Sequence, residues 1–514
     1  MKDLIVVLIL CAASITPLSS RAQNIKVEWS EKYKFENVFV TMVKNPVKNE
    51  FIKISYSPVS ARYKEEVAKS VVITHYDKQL HFVSEKEIVL DEKDLEPAGV
   101  ISMNSHFYLL TRKPDKSADE TSISLTQINV VDDKIGPTSV MTSYPIGSGG
   151  YLRKPKYIYS GDSSRVLVYV DYIRKKGENQ QFADFLINEK GEKIWEKKFE
   201  IQSPGTVPDF FSIEVNAFKQ ALDNEGNAYI IYPSMNAESA KYSLTVVNSS
   251  GNLTNKELNL SDRLFCDAGL TVDKKGNIVF CGLYKAGAGG NIAGYGVFAL
   301  DKNTLQSIAS KQGEFEPGLV QKITEDKQRS NRSGKTGISD NFKIRTIIAR
   351  SNGDVDFIAE YGDAARNIST MNASFYTGDL LVIEYRSAGD IVCMRVPKYQ
   401  RAENGNSFAS FYAFEYKNRL CLFYNDCVEN LESEDKLISF YFGGTRLSNL
   451  YLTVATFDEK GKVSRKKVFS FDEAEVGPRP RRFYRMSANQ VILFGSKFKY
   501  LSRADEAIGM LTFN

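Results

Sequence analysis

The chain has 514 residues, 42% hydrophobic, 25% charged and 12% aromatic, a balance that excludes a disordered or collagen-like protein and supplies a large core. Its 67 Lys and Arg stand against 63 Asp and Glu, and a net charge of +4 is too small for bulk electrostatic binding to nucleic acid or anionic lipid. The three histidines, His75, His81 and His106, fall in one stretch near the N-terminus. That leaves little material for a zinc site or a nucleophile–His–Asp arrangement drawn from several loops, so no metal, cofactor or catalytic residue is assigned.

Residues 1–22 read as a secretory signal. Lys2 precedes an apolar run from Leu4 to Ala13, and small residues before Gln23 place cleavage after Ala22. A membrane anchor is the other reading of this run, but it is about half the ~20 residues that a spanning helix needs. Leu10 before Cys11 disfavours lipid attachment, and no later stretch is apolar enough to span a bilayer, so the mature chain is expected not to span a membrane. It keeps five cysteines, Cys266, Cys281, Cys393, Cys421 and Cys427, an odd number that suits buried free thiols, although Cys266 and Cys281 flank one expected hairpin and could meet.

From about residue 70 one pattern recurs: strand, turn rich in Asp, Asn, Gly and Lys, strand, variable loop, and a second hairpin. The first hairpin appears at Ile101, Tyr159, Ala221–Tyr232, Thr271–Gly282, Ile348–Glu360 and Arg485–Ser496. The second appears at Val71, Asp184–Ile201, Leu244–Leu260, Val297, Leu380–Lys398 and Leu452–Phe471. Turn glycines supply the positive φ of tight hairpins, and Val, Ile, Tyr and Phe alternate with polar residues on the flanks. Two hairpins make a four-stranded blade, so the expected fold is all-β, a single β-propeller over residues 23–514. The tail from Arg481 to Phe513 supplies only about three strands, and VEWSEKYKF from Val27 can provide the missing outer one. This closure makes eight blades; seven, or a tandem of β-sandwiches, are the alternatives.

Residues 317–340 read as a polar insertion. Its Ser333-Gly334-Lys335-Thr336 lacks the upstream Gly of a phosphate loop, where Arg329 stands. Further on, Lys398, Gln400, Asn425, Asp426 and Asn430 fall where strands run out into long connections, the usual place for ligand contacts, although turn and edge residues have the same composition. Arg479, Arg481 and Arg482, with Arg485, form the densest basic patch on a backbone stiffened by Pro478 and Pro480, which suits carboxylate or phosphate recognition or protection of a strand edge.

The succession of hairpins, with VPKYQ at Val396–Gln400, FYND at Phe423–Asp426, Asn430, the FDEKGK turn and GPRPRRF, resembles an uncharacterised family of exported bacterial proteins with β-propeller-like repeats. The resemblance covers most of the chain from about Tyr159. It implies a fold and an envelope address, with no activity and no catalytic residue to carry over. The expected function is therefore non-catalytic: a binding or scaffold protein of the cell envelope, offering a loop platform with Phe411, Tyr412, Tyr441 and Phe442 to an envelope or outer-membrane protein or a glycan. The alternative is a carbohydrate-active enzyme, hydrolase or lyase, using paired carboxylates on the propeller face. The chain's apparent end inside a strand favours the periplasm over the cell surface or the medium.

Overall fold

A computed structural model describes residues 25–514 except 31–32, 35–38, 45–49, 57–69, 91–94, 105, 116, 146–154, 173–179, 202–218, 237–238, 259–264, 286–289, 325–336, 367–372, 404–407, 434–436, 438–439, 442–448 and 497–504. The expected signal segment lies outside the described residues. No described helix is long and apolar enough to cross a membrane.

The strands form eight sheets that follow one another along the chain, antiparallel except where Gln400–Glu403 pairs in parallel with Phe440–Tyr441. In blades 1 to 7 the innermost strands are Phe39–Lys44, Glu96–Met103, Lys156–Tyr159, Lys219–Leu222, Phe265–Val272, Phe342–Ala349 and Phe411–Tyr416. Blade 8 begins with the two short strands Gly477–Pro478 and Tyr484–Arg485. Composition follows position in the blade. The third strand of blade 1, Ser70–Tyr76, is buried throughout, whereas its outer neighbour Phe82–Val89 carries Glu and Lys and is almost wholly exposed.

Apolar clusters occupy every interface between neighbouring blades. Ile54 packs with Leu109 between blades 1 and 2, Phe280 with Leu244 between blades 4 and 5, and Leu422 with Val382 between blades 6 and 7. The cluster that closes the ring joins Met42, Phe51 and Tyr76 of blade 1 to Ile492, Phe494 and Met510 of blade 8. The chain is thus an eight-bladed β-propeller.

Closure is made by the N-terminal strand, as the missing outer strand of the tail predicts. Ile25–Trp29 runs antiparallel to Asp505–Phe513, with Ile25 opposite Phe513 and Trp29 opposite Gly509. The Trp29 ring lies over Gly495 and Gly509, where a Cβ would come within about 3 Å of it, and meets Phe469 edge-on at 5.6 Å. Ser30 adds two hydrogen bonds, its N–H donating to Ile508 O at 2.7 Å and its Oγ accepting from Ile508 N at 3.0 Å.

The two faces of the ring differ. Turns within each hairpin fall on one face and are short, as at residues 223–227, 273–277, 350–354, 386–390 and 458–462. Asp223 shows why they are tight. Its Oδ1 accepts from the backbone N–H of Glu225 and of Asn227 at 2.9 and 2.8 Å, while Gly226 takes a φ of +92°. Connections between hairpins and between blades fall on the opposite face, and their described parts include residues 315–324, 337–341, 397–403, 408–410 and 428–433.

Two expectations change in detail. The first part of the 317–340 insertion is a helix, Pro317–Thr324, because Leu319, Val320 and Ile323 recur on one side and pack on the core between blades 5 and 6. Strands Val355–Arg366 and Ala373–Tyr385 run on well past the ends of the expected hairpins Ile348–Glu360 and Leu380–Lys398. The five described cysteines are all free: Cys266 Sγ donates to Leu283 O at 3.2 Å instead of bridging to Cys281.

Candidate functional site at the mouth of the central channel

The innermost strands of blades 3 to 6 carry Lys156, Lys219, Asp267 and Arg345 toward their connection-face ends and are followed on the turn face by Ser160, Asp223, Asp273 and Arg350. Side by side they wall a cavity of about 740 Å³ at the ring axis. Its mouth on the connection face carries Lys156, Lys219 and Arg345, and its floor is made by the turns at Asp223–Glu225 and Asp273–Gly276. Arg481 approaches the same mouth from blade 8, close enough for its charge and that of Arg345 to repel.

Four cations thus converge from blades 3, 4, 6 and 8 on two carboxylates that are already engaged. Asp267 accepts the Ile344 N–H at 2.6 Å and has Lys219 Nζ at 3.7 Å. Glu360 accepts from Lys398 Nζ at 2.6 Å and Ser410 Oγ at 2.9 Å, with Arg481 Nη2 at 3.8 Å. Among the described residues the exposed Lys156 and Arg345 have no ion-pair partner. Burial lowers the Lys219 pKa; Asp267 opposes the shift, while Arg345 and Lys156 deepen it. Burial lowers Arg481 too, opposed by Glu360.

Deeper in the ring, Tyr159 and Tyr484 present partly open rings, 37% and 39% exposed. Tyr484 lies near enough to Tyr159 to add to its shift, and burial is the main cause that raises both pKa values. Tyr159 lines the cavity and its Oη accepts the Ser102 N–H at 3.2 Å.

The residues singled out in the sequence divide into two groups. Lys398, Gln400, Asn425, Asp426 and Asn430 are brought together, but inside the protein, each 0% exposed. Lys398 Nζ also donates to Thr377 Oγ1 at 3.0 Å and Gln400 Oε1 at 3.1 Å. Gln400 Nε2 donates to Asn425 O at 2.6 Å, and Asn425 Nδ2 donates to Phe408 O and Pro478 O at 2.9 and 2.8 Å. Asn430 Nδ2 donates to Asp426 Oδ1 at 2.9 Å, and burial pushes the Asp426 carboxyl up to about 6. In this arrangement the five residues tie blades 6, 7 and 8 to one another, and none offers an atom to solvent.

The arginine patch is also split. Arg479 and Arg482 share Glu506 at 2.8 and 3.5 Å, and Arg479 further donates to Ser496 Oγ at 2.8 Å. Arg481 alone turns toward the mouth. Of the expected aromatic anchors, Phe411 is core and Tyr412 is half-buried against Phe483; the side chains of Tyr441 and Phe442 lie outside the described residues.

Lys156, Lys219 and Arg345 escape sequence reasoning because they stand alone, far apart along the chain. The one signal available is position: each lies at or near the start of an innermost strand.

The chain matches no protein-family model and no curated protein. Among solved structures it is similar to the polysaccharide lyase Uly1 (6% identity, 81% of this chain and 90% of that one, TM-score 0.36). It is likewise similar to the WD40 domain of SCAP from fission yeast (10%, 97% of each chain, 0.34). A third similarity is to the β-propeller domain of the Trilobed protease from Pyrococcus furiosus, which has an open velcro topology (9%, 85% and 98%, 0.33). These similarities are too distant to bear on function, and the propeller rests on the strand order and closure described above.

Proposed function

We propose that this is a non-catalytic binding protein of the bacterial cell envelope, exported to the periplasm, which takes its ligand at the channel mouth on the connection face. The observation that carries the reading is the cavity of about 740 Å³, a size typical of ligand sites, opening where four cations outnumber the carboxylates. A rigid ring with variable connections on one face is suited to holding such a site.

The carbohydrate-active alternative stands second for a local reason. Asp223 Oδ2 accepts from Asn227 Nδ2 and the Tyr229 hydroxyl at 2.7 and 2.8 Å, and Asp273 holds its own turn through Lys275 N and Asn277 N at 2.8 Å each. The cavity-lining Asp223 and Asp273 are thus occupied with backbone and turn structure and Glu225 is paired with Lys302, where a general acid or nucleophile needs a carboxylate free for substrate.

Two measurements test the reading. Intact mass of the natively exported protein should show Gln23 as the first residue; retention of residues 1–22 would overturn the address. For the site, a glycan and peptide array should identify a ligand whose binding slows hydrogen exchange in Lys219–Leu222 and Phe342–Ala349. A ligand that protects only the turn face would overturn it.

A further inference from the structure

Building on the binding reading above, we infer that the ligand is an acidic glycan and that the channel mouth holds the carboxylate of a uronic acid unit. Arg345 and Lys156 are exposed and have no carboxylate partner among the described residues, while Asp267 and Glu360, the carboxylates beside this mouth, each already accept a hydrogen bond from the protein. An incoming carboxylate therefore meets a ready surplus of positive charge, with the planar guanidinium of Arg345 suited to hold it in two hydrogen bonds.

Charge alone would suit any anion; the wall below the mouth selects among them. Tyr159, 37% exposed, lines the cavity there, with Tyr484, 39% exposed, close by, and a sugar ring has the complementary shape: an apolar face to lay on an aromatic ring, and hydroxyl edges for polar groups. A small inorganic anion would use the cations and leave most of the 740 Å³ unfilled. An acidic peptide would meet the cations without a pyranose face to set against the tyrosines. The balanced net charge of the whole chain argues in the same direction, since a net charge of +4 gives little long-range attraction for anions in general.

The test is titration calorimetry on the full chain with trigalacturonate and trimannuronate, and with methyl-esterified trigalacturonate as the uncharged counterpart. At least one free uronate should bind, and the ester should bind at least tenfold more weakly. Raising NaCl from about 50 to 500 mM should weaken uronate binding several-fold, because the contact is a partly exposed ion pair. Arg345→Gln should cost about tenfold or more, the worth of a charge-assisted hydrogen bond, and Lys156→Gln should cost a smaller factor. Both side chains are exposed, so unchanged circular dichroism and melting will confirm that the fold is kept.

Failure of both free uronates to bind would overturn the inference, as would equal affinity for the ester, or for citrate or an oligoglutamate. Binding that survives both substitutions would overturn it as well. A neutral glycan or a peptide that binds and protects Lys219–Leu222 and Phe342–Ala349 would overturn this inference while leaving the binding reading standing.

Discussion

Replacing Lys398 by methionine isolates the charge pair at the centre of the buried network. Lys398 is 0% exposed and its ammonium sits 2.6 Å from Glu360, itself 1% exposed, so the methionine keeps the volume of the stem and removes the charge. Breaking a buried pair by deleting one partner costs about 3–5 kcal/mol, because the remaining charge has lost its compensation out of water. Glu360 would still accept from Ser410 Oγ at 2.9 Å and have Arg481 at 3.8 Å, which places the loss near the lower end, about 3 kcal/mol. Lys398→Met combined with Glu360→Gln removes both charges and should recover most of the loss, since a neutral pair of similar volume is often tolerated. Equilibrium urea denaturation followed by fluorescence and by far-UV circular dichroism reads both variants. A single variant within about 0.5 kcal/mol of the parent, the scatter of ordinary surface substitutions, would refute the reasoning.

Asp426 gives a pH test. Burial raises its folded pKa to about 6 from an ordinary value of 3.8, so its stabilising contribution is present at acid pH and lost as pH rises through about 6. A shift of this size corresponds to roughly 3 kcal/mol. Asp426→Asn should flatten that part of the stability profile between pH 4 and 8, and an unchanged slope would contradict the assignment. Trp29→Ala should cost about 3 kcal/mol in urea denaturation and speed proteolysis of the N-terminal strand, because it strips the cover from Gly495 and Gly509. Deleting residues 27–35 should destabilise the whole ring, and unchanged thermal stability would refute closure by this strand. Gly191→Ala should cost about 1–3 kcal/mol by the same assay, since Gly191 has a φ of +75° and its Cβ would sit 2.5 Å from Tyr108 Cε1.

Local patterns carried the fold. Asp223–Gly226, Asp273–Gly276 and Asp458–Gly461 each combine an Asx acceptor with a positive-φ glycine, and such turns announce hairpins without reference to the rest of the chain. Closure was legible by subtraction, because the tail around Gln490–Phe513 lacks an outer strand and the N-terminus has one to spare. The site was harder to read, for a physical reason. Lys398 and Asn425 look solvent-directed in their own segments, and what buries them is Glu360 on another strand and the backbone of Phe408 and Pro478. The basic run at Arg479–Arg482 was visible as composition, yet Glu506 engages two of its members and only Arg481 reaches the mouth. Lys156, Lys219 and Arg345 become a site only when the ring closes.

Hydrogen-exchange mass spectrometry of the full chain, with and without saturating trigalacturonate or trimannuronate, tests the central claim most directly. The account predicts slowed exchange in Lys219–Leu222, Phe265–Val272 and Phe342–Ala349 and around Arg481, lost in Arg345→Gln. Protection confined to the turns at residues 223–227, 273–277 and 350–354, or protection that persists undiminished in Arg345→Gln, would contradict it.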